Sequence, residues 1–207
     1  MDFSDDELDP ADALALIERE RANLVRDIAP DPRLMFWPWG FAWLLGFGLL
    51  FLRYGPDGKV YADLPDWLPP TALPLLFIAA GIITGFAGSR PARRTRGPSS
   101  RAGLLYGLSW SISFLTLSVL FARIGNHLPE PQAGLLWGGG MVALTGALHM
   151  AGSAIWMDRQ LFALGAWTSV INIVGILAGP GWHSLIVAVA GGGGMIVAGV
   201  LGHRRLG

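Results

Sequence analysis

Any chemistry in this chain rests on a few polar side chains set in apolar surroundings. Asn172 stands in the middle of an apolar run, close to Thr168 and Ser169. An amide at that depth must find a partner, so Asn172 is expected to face inward and is the first candidate for a buried polar contact. His149 closes another apolar run two to three turns before Asp158. An imidazole and a carboxylate can pass a proton or hold a ligand, yet two groups near one helix end form a thin basis for an enzyme. A lone histidine near an interface more often reaches water or a backbone carbonyl. Ser109, Ser113 and Thr116 recur at i, i+4 and i+7 and so share one helical face. Such a stripe can line a polar path, or its hydroxyls can bond back to their own helix or across to a neighbour.

The reactive groups that are missing narrow the chemistry further. The chain has no cysteine, which excludes disulfides, Cys-ligated zinc and thiol catalysis. No His-Glu-x-x-His, no Gly-x-Ser-x-Gly, no paired aspartates within apolar runs and no Walker motif occurs. The interiors of the apolar runs hold no Asp, Glu, Lys or Arg, where pumps and proton relays place ionisable groups. No catalytic residue, cofactor or metal is therefore expected.

The elements that must position these residues are membrane-spanning helices. Of 207 residues, 52% are hydrophobic and 14% charged, whereas a soluble domain carries about 25% charged residues. Six apolar runs lie at about 36–52, 71–88, 103–122, 133–151, 161–178 and 184–202. Each approaches the ~20 residues needed to cross a ~30 Å hydrocarbon layer. No long strand-type alternation occurs, so an all-α polytopic bundle of six transmembrane helices is expected over 34–207.

Residues 1–33 form a separate acidic segment. Residues 1–31 carry a net charge of −7 and the rest +7. This start lacks the basic, apolar character of a secretory signal. Asp9-Pro10-Ala11-Asp12 reads as a helix start, with Asp9 as cap and Pro10 at the first helical position. Leu14, Ile17, Leu24 and Ile28 fall on one stripe, interrupted by Arg21, which predicts an amphipathic helix over about 10–28 that ends before Ala29-Pro30.

Orientation follows from the loop at 89–101. Arg90, Arg93, Arg94, Arg96 and Arg101 crowd into it between two apolar runs, and clustered arginines stay cytoplasmic. Both termini are then cytoplasmic, with twelve of the fifteen basic residues on that side and Arg53, Lys59 and Arg123 on the other. The loop lacks interleaved aromatics, so anionic lipid headgroups suit it and nucleic acid does not. The acidic segment at 1–31 shares its membrane face, so it is expected to dock there in a salt-sensitive way or to recruit a protein partner. Trp37, Trp39 and Trp43 are expected in the inner headgroup zone or just within it, and Trp67 and Trp182 in the outer one. Between them Arg53–Pro70, with its Pro56-Asp57-Gly58 turn signal, is expected to form a compact cap.

Small residues recur at four-residue spacing: Gly81/Gly85, Gly103/Gly107, Gly134/Gly138 and Gly175/Gly179. Missing side chains let helices approach closely, so these pairs are expected in packing seams, within the bundle or between copies in a homo-oligomer. The run Gly191–Gly194, with Gly192 and Gly193 at its centre, costs about 1 kcal/mol of helix propensity per glycine. It must pack closely or break to line a cavity, and packing is preferred.

In its stretch Asp158-Arg-Gln-Leu-Phe-Ala-Leu-Gly-Ala-Trp167, its Ala190-Gly-Gly-Gly-Gly194 run and its Pro32–Tyr54 stretch with Trp37-Pro-Trp-Gly40, the chain resembles uncharacterised actinobacterial six-span membrane proteins of about this size. The resemblance implies a bacterial plasma membrane location and carries no activity. The expected function is a non-enzymatic accessory, sensor or scaffold subunit acting through partners. The alternative is a small oligomeric permease or channel, its polar route built from Ser109, Ser113, Asn172 and the Gly191–Gly194 region.

Overall fold

The computed structural model describes residues 9–28, 31–92 and 98–206, together with the side chains of most of them. Among the described residues there is no strand. Helix α1 spans Pro10–Ile28, with Leu14 and Ile17 exposed. Then come α2 (Pro32–Arg53), α3 (Leu68–Ala92), α4 (Pro98–Gly125), α5 (Glu130–Trp156) and α6 (Arg159–Ala178). A last rod is assembled from α7 (Trp182–Ile186), a wider π-helical stretch (Val187–Gly192) and α8 (Gly193–Leu206). Six of these units, α2 to α6 and the rod, are long and apolar enough to cross a membrane.

The helices begin before the apolar runs, because polar caps and prolines start them ahead of the hydrocarbon-like residues. Asp31 caps α2 by accepting from the Arg33 amide at 2.9 Å, and Pro32 takes the first position, where a missing N–H costs nothing. Asp158 caps α6, accepting from the amides of Gln160 at 2.8 Å and Leu161 at 3.3 Å. That role accounts for the carboxylate in the short turn after α5. Met157 closes α5 in the left-handed region at φ 52°.

Packing follows one order around the bundle: α3 on α2, α2 on the rod, the rod on α6, α6 on α5, and α5 on α4. The outermost helices, α3 and α4, are not packed along each other. A core of Trp43, Phe47, Val142, Leu164, Val187, Ala188 and Met195 fills the centre. Trp43 lies within this core, 2% exposed, while Trp67 and Trp182 are exposed near the Arg53 end of α2.

Two seams bring backbones into contact. A Cβ built on Gly192 would stand 2.7 Å from the Gly40 carbonyl oxygen, and one on Gly40 would stand 2.9 Å from that of Gly192. Between α5 and α6, a Cβ on Gly165 would stand 2.7 Å from the Gly146 carbonyl oxygen. In lipid such van der Waals contact replaces the hydrophobic drive that holds soluble helices together. The glycine run is therefore packed helix, but begins in a local π pitch, and the Trp167 indole donates at 3.0 Å to the carbonyl of Ala190, the residue just before the run.

The ends of the bundle are tied differently. At one end Pro32 sits where a Cβ on Gly202 would reach it at 2.8 Å, and His203 Nδ1 lies 3.7 Å from the Asp31 carboxylate. That carboxylate also pairs with Arg33 at 2.9 Å, which holds its pKa below the ordinary value near 3.8. At the other end residues 54–67 form a compact cap. The Arg53 guanidinium pairs with Asp66, the Tyr54 hydroxyl donates to the Asp66 carbonyl at 3.0 Å, and Tyr61 stacks on Phe51 with ring centres 4.9 Å apart. Partial burial pushes the Tyr54 phenol pKa up. Gly181, at φ 82°, leaves no room for a side chain against Pro56, so the cap and the α6–α7 turn fit together.

Candidate functional site

Two polar features stand out, one closed and one open. The closed one is a buried node near the Gly181 end. Asn172 on α6 is 3% exposed and His183 on α7 is 2% exposed. The Asn172 amide nitrogen donates to the Gly139 carbonyl of α5 at 2.8 Å, and its Oδ1 lies 2.8 Å from His183 Nε2. Because an amide oxygen only accepts, Nε2 must carry the hydrogen. Gly138 and Gly175 make the space for the ring: a Cβ on either would stand 3.0 Å or less from an imidazole carbon. Phe47 meets the same ring edge-on at 6.4 Å. The node thus ties α5, α6 and the rod together, with α2 packed against it.

The open feature is a cavity of about 660 Å³ nearer the Asp31 end, between α3 and α4 and backed by α2, α5, α6 and α8. Its walls are two aromatic ladders at helical spacing. On α2, Trp39 and Trp43 both pack on Phe77 of α3, at 5.8 and 6.5 Å. On α4, Trp110 stacks on Phe114 at 5.7 Å and meets the His149 ring edge-on at 5.2 Å. Tyr106 extends this ladder, donating to the Leu148 carbonyl at 2.7 Å. Ile78 and Ser111, both exposed, stand at the mouth.

Three polar side chains reach this cavity: Ser111, Thr145 and His149. The Ser111 hydroxyl donates to the Gly107 carbonyl at 3.1 Å and that of Thr145 to the Met141 carbonyl at 2.8 Å. His149 Nδ1 lies 2.8 Å from the Thr145 carbonyl oxygen. A carbonyl cannot donate, so Nδ1 carries the hydrogen and Nε2 of the neutral ring is an acceptor.

The remaining candidates lie apart. Ser109 is exposed on α4 and bonds back to the Leu105 carbonyl at 2.9 Å, as Thr116 does to Ile112 at 2.8 Å, and Ser113 is half-buried on the same helix. None of these lies on the node: Asn172 and His183 stand on α6 and α7, and α4 packs on α5 alone. His149 and Asp158 are not brought together as an acid–base pair, since each is engaged locally. Gly81 comes no nearer than 4.0 Å to Trp39, while Gly85, Gly103 and Gly107 face open space. Gly175 seats His183, Gly179 turns the chain at φ 93°, and Gly193 has nothing within 4 Å of a built Cβ. Arg101 is exposed; Arg93, Arg94 and Arg96 and the side chain of Arg90 lie outside the described residues.

Sequence reasoning passed over His183 and both aromatic ladders. The ladders were there to be read, as Trp39/Trp43/Phe47 and Tyr106/Trp110/Phe114 at i, i+4 and i+8. His183 gave a weaker signal, a ring in the first turn after Gly179-Pro-Gly181.

Six apolar helices around an interior with a closed polar node and a cavity between α3 and α4 are compatible with a multi-pass integral membrane protein. No protein-family model matches the chain, and neither a curated protein nor a solved structure does. Among the described residues no cluster of three or more His, Asp or Glu side chains could hold a metal ion.

Proposed function

We propose that this chain is a non-enzymatic subunit of a bacterial plasma membrane, an accessory, sensor or scaffold protein that acts through what binds it. The observation that carries this reading is the contrast between a sealed interior and an open flank. The node at Asn172 satisfies its own groups, and the hydroxyls of Ser109 and Thr116 are returned to their own helix. The accessible space instead opens sideways between α3 and α4. This favours recognition at the flank over passage through the centre. In this reading both termini are cytoplasmic, the arginines at 89–101 meet anionic headgroups, and residues 1–31 dock on that loop or recruit a partner, with a second copy of the chain as a further candidate. The kinship with actinobacterial six-span proteins belongs to the same proposal.

The test uses the absence of cysteine, which makes single-cysteine labelling clean. Asp57→Cys should react with an impermeant maleimide in intact cells and Thr95→Cys only after permeabilisation; the reverse pattern overturns the orientation. The intact chain, purified from native membranes, should retain a defined protein in fixed ratio, and deletion of 1–31 should release it. Recovery of the chain alone in both preparations would overturn the partner reading.

A further inference from the structure

We propose that the cavity between α3 and α4 binds an apolar molecule that carries a hydroxyl and enters sideways from the bilayer. This goes beyond the reading above and does not depend on any partner of residues 1–31. Size is the first argument. A space of about 660 Å³ lies within the ~300–1,000 Å³ range of ligand sites and holds roughly twenty water-sized groups. That is one long chain or one substituted ring, and less than a whole two-chain phospholipid.

The walls give the second argument. Trp39, Trp43, Phe77, Trp110, Phe114 and Met195 line the space, and rings with a thioether make an adaptable apolar surface. The polar groups decide the rest. The hydrogens of Ser111 and Thr145 are already given to Gly107 and Met141, and His149 Nδ1–H is given to Thr145. What these three side chains have left to offer is acceptor lone pairs, the strongest being His149 Nε2. A ligand oxygen with a hydrogen satisfies that acceptor; an ether, ester or ketone of the same shape leaves it unmet.

A hydroxyl on an apolar body has two sources in a membrane: a single-chain lipid alcohol, or the reduced ring of a quinol. The experiment uses the full chain in nanodiscs and follows quenching of tryptophan fluorescence by ω-bromohexadecanol and by its methyl ether. The alcohol should half-saturate at about fivefold lower concentration, the factor expected for one net hydrogen bond. His149→Phe should erase that preference, while His149→Gln, whose amide oxygen still accepts, should keep it. Ile78→Trp, at a mouth position 58% exposed, should weaken both probes without touching the core. Unlabelled hexadecanol and a decyl hydroquinone then compete against the bromo-alcohol. Stronger displacement by one identifies the source, and displacement by neither overturns the proposal. Equal quenching by alcohol and ether, a preference that survives His149→Phe, or quenching indifferent to Ile78→Trp overturns it as well.

Discussion

Helices α3 and α6 have the same mean hydropathy over their best windows, 1.9, yet 6% of one window is buried and 33% of the other. α4 resembles α3, at 6%, whereas α2, α5 and the rod stand at 28%, 22% and 39%. The bundle therefore has a packed centre and two flanking helices that touch it on one side only. Apolarity sends a helix into the membrane, but it does not select the protein interior over lipid. That selection is made by small residues placed where a neighbour's backbone or ring arrives, and by polar groups that have partners there. Gly175 and Gly138 meet His183, and Gly192 meets Gly40, while Gly103 and Gly107 on α4 meet nothing.

The largest effect that can break this contrast is a side chain forced into a seam. Gly192→Leu would drive branched carbons into the Gly40 carbonyl and the Leu44 amide of α2, both within 2.8 Å of a built Cβ. Backbone cannot swing aside as a side-chain tip can. The loss should reach or exceed the 1–3 kcal/mol typical of overpacking, seen as a collapse of the folded fraction in a denaturing-detergent titration. Gly107→Leu should stay within about 0.5 kcal/mol of the parent, as surface changes do. Equal damage from the two would show that α4 packs on something in the membrane, a second copy included.

The node should respond next. Asn172→Leu strands the His183 Nε2–H in a dry interior and removes the second bond that the Gly139 carbonyl accepts beside its helix bond, and a buried group left without its partner costs about 1–3 kcal/mol. A double-mutant cycle with His183→Ala should return a coupling of about 0.6–1.7 kcal/mol, between the average and the maximum of side-chain bonds in membrane helices. A coupling of zero would mean that the two side chains act independently.

How much of this was legible follows from the same contrast. Length and apolarity specify six spans because unpaired backbone is intolerable in hydrocarbon, and all six runs are helices here. Asn172 was legible as a buried amide, since its side chain has no other tolerable place. Its partner was not, because His183 reaches it only once the Gly179-Pro-Gly181 turn folds the rod back along α6. Four-residue glycine spacing was ambiguous for a physical reason: Gly81/Gly85 and Gly175/Gly179 share the pattern, but only what faces a glycine decides its use. The aromatic walls of the cavity were legible but the space between them was not, since it exists where α3 and α4 fail to pack, and a missing contact has no signal in the sequence.

A smaller effect tests the Asp31 end, where α2 and α8 converge. Pairing with Arg33, aided by its amide and by His203, lowers the Asp31 pKa in the folded protein. The unfolded chain then binds the proton more readily, so this carboxylate's contribution is complete above its ordinary value near 3.8 and is lost as pH falls through the lower folded value. Because the pair is half-exposed, solvent screens it and the slope should be shallow. Asp31→Asn should remove that acid-limb slope, seen in melting temperature against pH, by lowering the neutral-pH value by the same small amount; an unaltered slope would assign it to another carboxylate.

The smallest effect sharpens the outer side of the comparison. Ser109 lies on the exposed face of α4, and its hydroxyl is returned to Leu105 one turn earlier. A bond of that kind satisfies the hydroxyl without holding any other helix, so Ser109→Ala deletes donor and acceptor demand together. Stability should move by less than about 0.5 kcal/mol, and ligand quenching at the α3–α4 cavity should not move, since Ser111 and not Ser109 lines it. A large loss from Ser109→Ala, beside a small one from Asn172→Leu, would invert the assignment of inside and outside and place the working surface of the protein on the far side of α4.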